Sequence, residues 1–245
     1  MTATDKVSRR SLLKGAAACA AITATGGFRI VELAMAKSPE DAASSLVRWG
    51  MLIDTDKCAT DCDACVTGCK TEHNLEDLGR PKTDAQWIRK LDLTDNQTGH
   101  VSSLPMLCQH CENPPCVDVC PTGASFKRED GIVLVDKHTC IGCRYCVMAC
   151  PYKARSFVHE SLHNQKSYSP RGKGTVESCT FCVHRIDDDR TPACVESCQS
   201  DGNGAMVFGD LNDEASDIAV KIKSEPSRQV REDLGLNTGV RYQNV

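Results

Sequence analysis

Alternation of apolar and polar positions is the clearest periodic signal in the 245 residues, and it comes in short runs. RWGMLID (residues 48–54) and GIVLVD (131–136) read as strands, each standing just before a crowd of cysteines. KREDG (127–131), a turn-forming stretch, leads into the second of them. ARSFVHE (154–160) and AMVFGD (205–210) read as closing strands after later cysteine runs. Polar connectors containing Gly and Pro separate these pieces: KTEHNLEDLGRPKTDAQW (70–87) and HNQKSYSPRGKGTVES (163–178). Only near the end does the period change, where DEASDIAVKIKSE (213–225) fits an amphipathic helix on the body and PSRQVREDLGLN (226–237) suggests a second. The tail GVRYQNV (239–245) is aperiodic, and either wrapping the body or docking a partner would suit it. The pattern predicts an α+β chain in which short strands flank cysteine loops and each loop run contains a brief helix.

Composition sharpens that picture. Two Trp, four Tyr and five Phe are thin material for a core in a chain this long, so something besides side chains must fill the interior. Cysteine is the strongest departure from ordinary usage: of seventeen, all but Cys19 fall in four groups of four. Net charge is −4, but the first 36 residues carry Lys6, Arg9, Arg10, Lys14 and Arg29 against Asp5 and Glu32, which leaves the remainder at −7. A mildly acidic body lacks the concentrated basic face that nucleic-acid binding requires, and that class is set aside.

The basic start has its own logic. SRRSLLKGAAACAAITATGGF (8–28) sets paired arginines before a weakly apolar run, and LAMA (33–36) then offers a small-residue cleavage site. Residues 1–36 therefore read as a twin-arginine signal peptide, with Leu12 where the commonest form has Phe; a basic tail entering a buried helix is the alternative. The apolar run at 15–28 is shorter than the about 20 residues a membrane-spanning helix needs, and Cys19 within it is a passive small residue. Resemblance to the twin-arginine class implies export to the periplasm of an already folded protein. A disulfide framework would need no such route, because it forms after export.

The four groups are Cys58, Cys62, Cys65 and Cys69; Cys108, Cys111, Cys116 and Cys120; Cys140, Cys143, Cys146 and Cys150; and Cys179, Cys182, Cys194 and Cys198. The third, CIGCRYCVMACP, is the C-x2-C-x2-C-x3-C-P run of bacterial ferredoxins, whose fourth cysteine ligates the other cluster of a two-cluster module. Residues three apart on a loop can wrap one iron–sulfur cube, whereas Cys150 lies further on, where the chain enters a helical turn and points elsewhere. Group two also ends in Cys-Pro, so the natural exchange puts Cys108, Cys111, Cys116 and Cys150 on one cluster and Cys140, Cys143, Cys146 and Cys120 on the other. The prolines of ENPP stiffen the wider gap between Cys111 and Cys116. Group one departs from the pattern with three residues between Cys58 and Cys62, and Cys198 is followed by Gln199 rather than proline. Group four on its own also suits a tetrahedral zinc site with four thiolate ligands, and a disulfide framework is the remaining alternative for all sixteen. His73, His110, His138 and His184 lie near the runs, but each quartet is complete in thiolate; solvated or backbone-bonded rings are expected, with hydrogen bonding to a cluster sulfur as the other reading. RGKGT (171–175) lacks the Gly-Lys-Ser/Thr order of a phosphate loop and reads as surface.

CQHCENPPCVDVCPTGAS, CIGCRYCVMACPYKAR, CTFCVHR and MVFGDLND, between about residues 49 and 212, resemble the four-cluster ferredoxin subunits of membrane oxidoreductases, the NrfC/PsrB-like family. The resemblance implies two bacterial-ferredoxin-like dicluster modules, an inner one at 100–159 and an outer one formed from 46–95 and 160–212, followed by a helical extension and tail at 213–245. It also implies the outer exchange: Cys58, Cys62 and Cys65 with Cys198, and Cys179, Cys182 and Cys194 with Cys69. Within that family, the twin-arginine start, the stretched group one, SPRGKGTVESCTFCVHR and the ending GLNTGVRYQ are most similar to the exported ferredoxin of DsrMKJOP-type complexes of sulfur metabolism. That similarity implies four 4Fe-4S clusters, an NrfD-like quinone-reactive membrane subunit (DsrP-like) and a multihaem cytochrome c (DsrJ-like) as partners. With no nucleotide fingerprint and no nucleophile–base set, the chain reads as an electron carrier without catalytic chemistry of its own. Two other functions fit the same residues: the electron-transfer subunit of a molybdopterin reductase acting on polysulfide or tetrathionate, and a zinc-stapled periplasmic adaptor. Lys70, Arg144, Lys153 and Arg155 stand near the runs, as solvated charges or as tuners of cluster potential.

Overall fold

Four consecutive residues of the first strand, Gly50 to Ile53, are buried, so this strand needs cover along both edges as well as both faces. It finds both edges at the far end of the chain. The computed structural model describes residues 43–99, 101–163 and 165–245; the signal-peptide reading and Cys19 lie outside them. Strand β1 (Trp49–Asp54) is flanked by β8 (Met206–Asp210), antiparallel with Trp49 opposite Asp210 and Ile53 opposite Met206, and by β9 (Val240–Gln243), parallel with Met51 opposite Val240.

The remaining strands pair in twos. The hairpin of β2 (Ile88–Thr94) and β3 (Val101–Leu107) sets Ile88 opposite Leu107. Strand β4 (Ser125–Lys127) pairs with β5 (Val133–Val135), and β6 (Arg155–Phe157) with β7 (Val176–Ser178), both antiparallel. Helices are short: α1 (Ala64–His73), α2 (Pro115–Asp118), α3 (Tyr145–Ala149), α4 (Val183–Ile186), α5 (Ala193–Ser200) and α6 (Asp217–Ser224). Each cysteine run contains at least one, and the chain is α+β with several small sheets.

Several expectations change. The stretch 226–237 holds only a single 3-10 turn, Glu232–Leu234, because Arg231 and Gly235 on either side are both left-handed and stop a helix. The aperiodic tail wraps the body: Val240 and Tyr242 are almost fully buried, and the Tyr242 hydroxyl donates to the Pro105 carbonyl at 3.1 Å and accepts from Gln109 Nε2 at 3.0 Å. Strand β7 lies within what reads as a polar connector, and it pairs with β6. Helix α6 forms as expected, capped by Ser216, whose Oγ accepts from the Ala219 N–H.

The interior confirms that aromatic side chains are scarce. Met51, Ile53, Leu107, Ile132, Phe181, Met206 and Tyr242 share one buried cluster with Cys65, Cys69, Cys108, Cys111, Cys150, Cys179, Cys194 and Cys198. Val133 and Val176 pack with Cys116 and Cys146 in a second. Sulfur takes the place that aliphatic volume fills in most domains.

Candidate metal centres

Helix α1 carries Cys65 and Cys69, and α5 carries Cys194 and Cys198; each pair is four residues apart and so shares one helical face. The two helices approach closely enough that a Cβ at Gly68 would lie 2.3 Å from Ser197 Oγ and 3.1 Å from the Ala193 carbonyl. Both pairs are buried between them. Burial lifts the Cys65 thiol to about 12, and charge at Cys58, Cys198 and Cys62 adds to the rise. Cys58 is pushed up to about 11 by burial and then by Cys198. Cys69 and Cys194 stand well above the ordinary range, first through burial and then through Cys194 and Cys182 for the one and Cys182 and Cys65 for the other. Cys179, fully buried, feels Cys69, Cys194, Cys108 and Cys182 after burial itself.

The other two groups behave alike. Cys108, Cys111, Cys116 and Cys150 line one cavity, with Pro114, Pro115 and Arg155 in its wall. Burial raises Cys108 to about 12 despite the nearby Arg155 charge, and raises Cys111, where Cys108, Cys116 and Cys150 contribute next. Cys146 is raised by burial and further by Cys140 and Cys120. Cys143 stands exposed at the rim, between Gly142 and Arg144, both left-handed. A Cβ on Gly142 would sit 2.1 Å from the Gly174 carbonyl, so the CIGC loop can lie here only with glycine at this position. Helix α3 comes before Cys150, which caps its end in extended conformation, rather than starting there.

Neighbouring runs adjoin: Cys65 and Cys69 are successive cysteines on α1, Cys150 of the third run joins Cys108, Cys111 and Cys116 in the wall of one cavity, and Cys116 packs in one cluster with Cys146. All sixteen cysteines are free thiols. Among the described residues no three His, Cys, Asp or Glu side chains converge tightly enough for a single metal ion.

Donors surround the sulfurs. Backbone N–H groups of Ser125, Val176 and Phe181 point at Cys120, Cys140 and Cys179 at 3.4, 3.5 and 3.4 Å. At Cys120 burial is outweighed by bonds from Ser125, Thr122 and Ala124, which leave its thiol lowered. His73 Nε2 lies 3.3 Å from Cys182 Sγ while Nδ1 meets Ser169 Oγ at 2.8 Å, so this ring is a hydrogen-bonding partner of a sulfur. His110 is backbone-bonded, its Nδ1 accepting from the Val133 N–H at 3.0 Å. His184 meets Glu72 at 2.7 Å, and His138 is exposed. Of the four cations near the runs, Lys70 pairs with Asp77, Arg144 and Lys153 are exposed, and Arg155 alone is buried. Lys90 carries no sequence signal of its own, yet its ammonium donates to the carbonyls of Ala59, Thr60 and Cys62 at 2.6, 2.6 and 2.7 Å. It ties the longer loop between Cys58 and Cys62 to strand β2.

Comparison with known proteins gives these centres a family. Residues 100–211 match the model of a 4Fe-4S dicluster domain, covering groups two to four. The chain is 40% identical to the Hdr-like menaquinol oxidoreductase iron-sulfur subunit 1 of Archaeoglobus fulgidus, over 96% of this chain and 97% of that protein. It is 34% identical to the NrfC homolog of Haemophilus influenzae over 93% of this chain and 91% of that one. The chain belongs to the NrfC/PsrB-like family of iron–sulfur subunits. A tetrathionate reductase subunit of Salmonella typhimurium is 42% identical over 81% of this chain and 74% of its own length. As an NrfC/PsrB-like subunit, the protein is an electron-transfer component of a membrane oxidoreductase complex and not its catalytic subunit. Its sixteen grouped cysteines fit four 4Fe-4S clusters. Among the described residues no helix is long and apolar enough to cross a membrane.

Proposed function

We propose that this chain relays single electrons along four 4Fe-4S clusters between a quinone-reactive, NrfD-like membrane subunit and a redox partner on the periplasmic face, in a DsrMKJOP-type complex of sulfur metabolism. The ligand sets are Cys58, Cys62, Cys65 and Cys198; Cys69, Cys179, Cys182 and Cys194; Cys108, Cys111, Cys116 and Cys150; and Cys120, Cys140, Cys143 and Cys146. Two dicluster modules result, the outer one built from segments on either side of the inner one. The clusters supply one-electron acceptors. The polypeptide spaces them, buries eleven of the sixteen thiols, and aims N–H groups at their sulfurs, which is how a protein sets cluster potentials.

The observation that carries this reading is the cavity walled by Cys108, Cys111, Cys116 and Cys150, which brings the last cysteine of the third run to three of the second. The likeness to an iron–sulfur subunit of a menaquinol oxidoreductase, over nearly the whole chain, supports a quinone-linked role. In this reading the chain is DsrO-like, exported folded by its twin-arginine start, with a DsrP-like membrane subunit and a DsrJ-like multihaem cytochrome c as partners. Anaerobic isolation of the native complex tests it: about sixteen iron and matching labile sulfide per chain are expected, together with a copurifying haem c protein. Zinc without labile sulfide would instead leave a periplasmic adaptor. A second reading, the electron-transfer subunit of a molybdopterin reductase, is favoured by the 42% identity to the Salmonella typhimurium tetrathionate reductase component. A molybdopterin subunit in place of the cytochrome would decide for it.

A further inference from the structure

Arg155 opens strand β6 and is 5% exposed. Its Nη2 donates to Ser125 Oγ at 2.8 Å. Its Nε and Nη1 are equally buried and make no regular hydrogen bond to any side chain or carbonyl. A guanidinium offers five N–H donors and is always charged, so drying two of its nitrogens without acceptors is costly unless something negative faces them. What faces them is sulfur. Arg155 forms part of the wall of the cavity lined by Cys108, Cys111, Cys116 and Cys150, and Cys116 of that wall packs in one buried cluster with Cys146 of the neighbouring set.

Resting on the ligand sets proposed above, we propose that Arg155 is a positioning residue shared by two clusters: buried between Cys108 and Cys116 on one side and Cys146 on the other, it holds both of their reduction potentials up. On reduction each cube accepts one electron from its donor, with no bond formed or broken, and its negative charge grows by one. A fixed cation in a low-dielectric site stabilises the reduced form more than the oxidised form, and the site's poor screening extends that effect to both neighbours. Exposed Arg144 and Lys153 are screened by water and salt and cannot act comparably. The two clusters of Cys58 and Cys69 have no part in this contact, which makes the effect selective.

The test is an anaerobic redox titration of the full chain followed by electron paramagnetic resonance, with iron and sulfide measured on every sample. In Arg155→Gln two of four midpoint potentials are expected to fall while the other two stay, at full iron content. Arg155→Lys keeps the charge but not the planar fork, and is expected to recover only part of the fall, leaving the same two potentials displaced downward together. Should Arg155→Gln lose iron, Arg155→Lys carries the test: full iron with two potentials displaced together supports the assignment, and iron loss or four unmoved potentials overturns it. Four unmoved potentials in a fully loaded Arg155→Gln protein overturn the role of Arg155 alone. Wild-type protein lacking four clusters overturns the cluster reading as well.

Discussion

His110 shows how far a single residue in this protein is set by its surroundings. Its ring stacks on Phe181 at 3.6 Å between centroids, and its Nδ1 must remain an acceptor for the Val133 N–H. Burial, and then the Arg155 charge, hold its pKa down to about 3 against an ordinary 6.5. The folded chain thus declines a proton that the unfolded chain takes up below 6.5, so stability is complete above that pH and drains as pH falls towards about 3. His73 adds to the same slope, lowered to about 3 by burial and then by His184. The anaerobic urea midpoint should therefore drop between about pH 7 and pH 5. His110→Phe should flatten part of that drop while lowering stability at neutral pH, because the buried Val133 N–H loses its acceptor. Lys90 makes a different prediction: Lys90→Met removes the donor to three loop carbonyls, and bound iron should fall by about four of sixteen while the rest of the visible spectrum persists. Full iron in that variant would show that the loop holds itself. Neither residue could be singled out from sequence alone, since His110 sits among cysteines that are already four to a set and Lys90 lies in a hairpin whose pairing only the fold reveals.

Elements were legible wherever the chain's own pattern decides them. The ferredoxin run at 140–151 and the apolar runs of β1, β5, β6 and β8 each stand where the sequence suggests. Pairing is another matter: β6 finds β7 in a stretch full of Gly, Ser and Lys, and β9 has no alternation because both its faces are covered. Such strands are made by their neighbours. Packing of α1 on α5 is similarly tertiary, yet it sets two i, i+4 cysteine pairs on neighbouring helices. Gly68→Val should separate these helices and cost about 1–3 kcal/mol, with bound iron lost from the centres of Cys58 and Cys69 ahead of the others in a chelator challenge. Equal loss from all four centres would count against the helix pair as the local clamp. Tyr242→Phe, which removes a buried hydroxyl bonded to Gln109 and Pro105, should lower stability by about 1 kcal/mol in an equilibrium unfolding measurement.

The molecule as a whole trades aliphatic core for sulfur. Thiols raised this far by burial are protonated when no metal is present, so binding of iron expels protons and couples assembly to folding. Stripping the metal anaerobically should leave a chain that loses cooperative unfolding and gains protease sensitivity, as seen by limited digestion; a metal-free chain that melts as sharply as the loaded one would refute the coupling. Ribosomal synthesis gives the central sheet a further consequence. Strand β1 emerges first, but both of its edges are closed by the last strands of the chain, β8 and β9. Nascent β1 must wait, apolar and unpaired, some 150 residues of translation for β8 to cover one edge and some 190 for β9 to cover the other, because Ile53 meets Met206 and Asp54 meets Gln243. Completion of this sheet therefore waits for the tail, and a ribosome stalled short of Val240 would display one open edge of the first strand to whatever chaperone attends it.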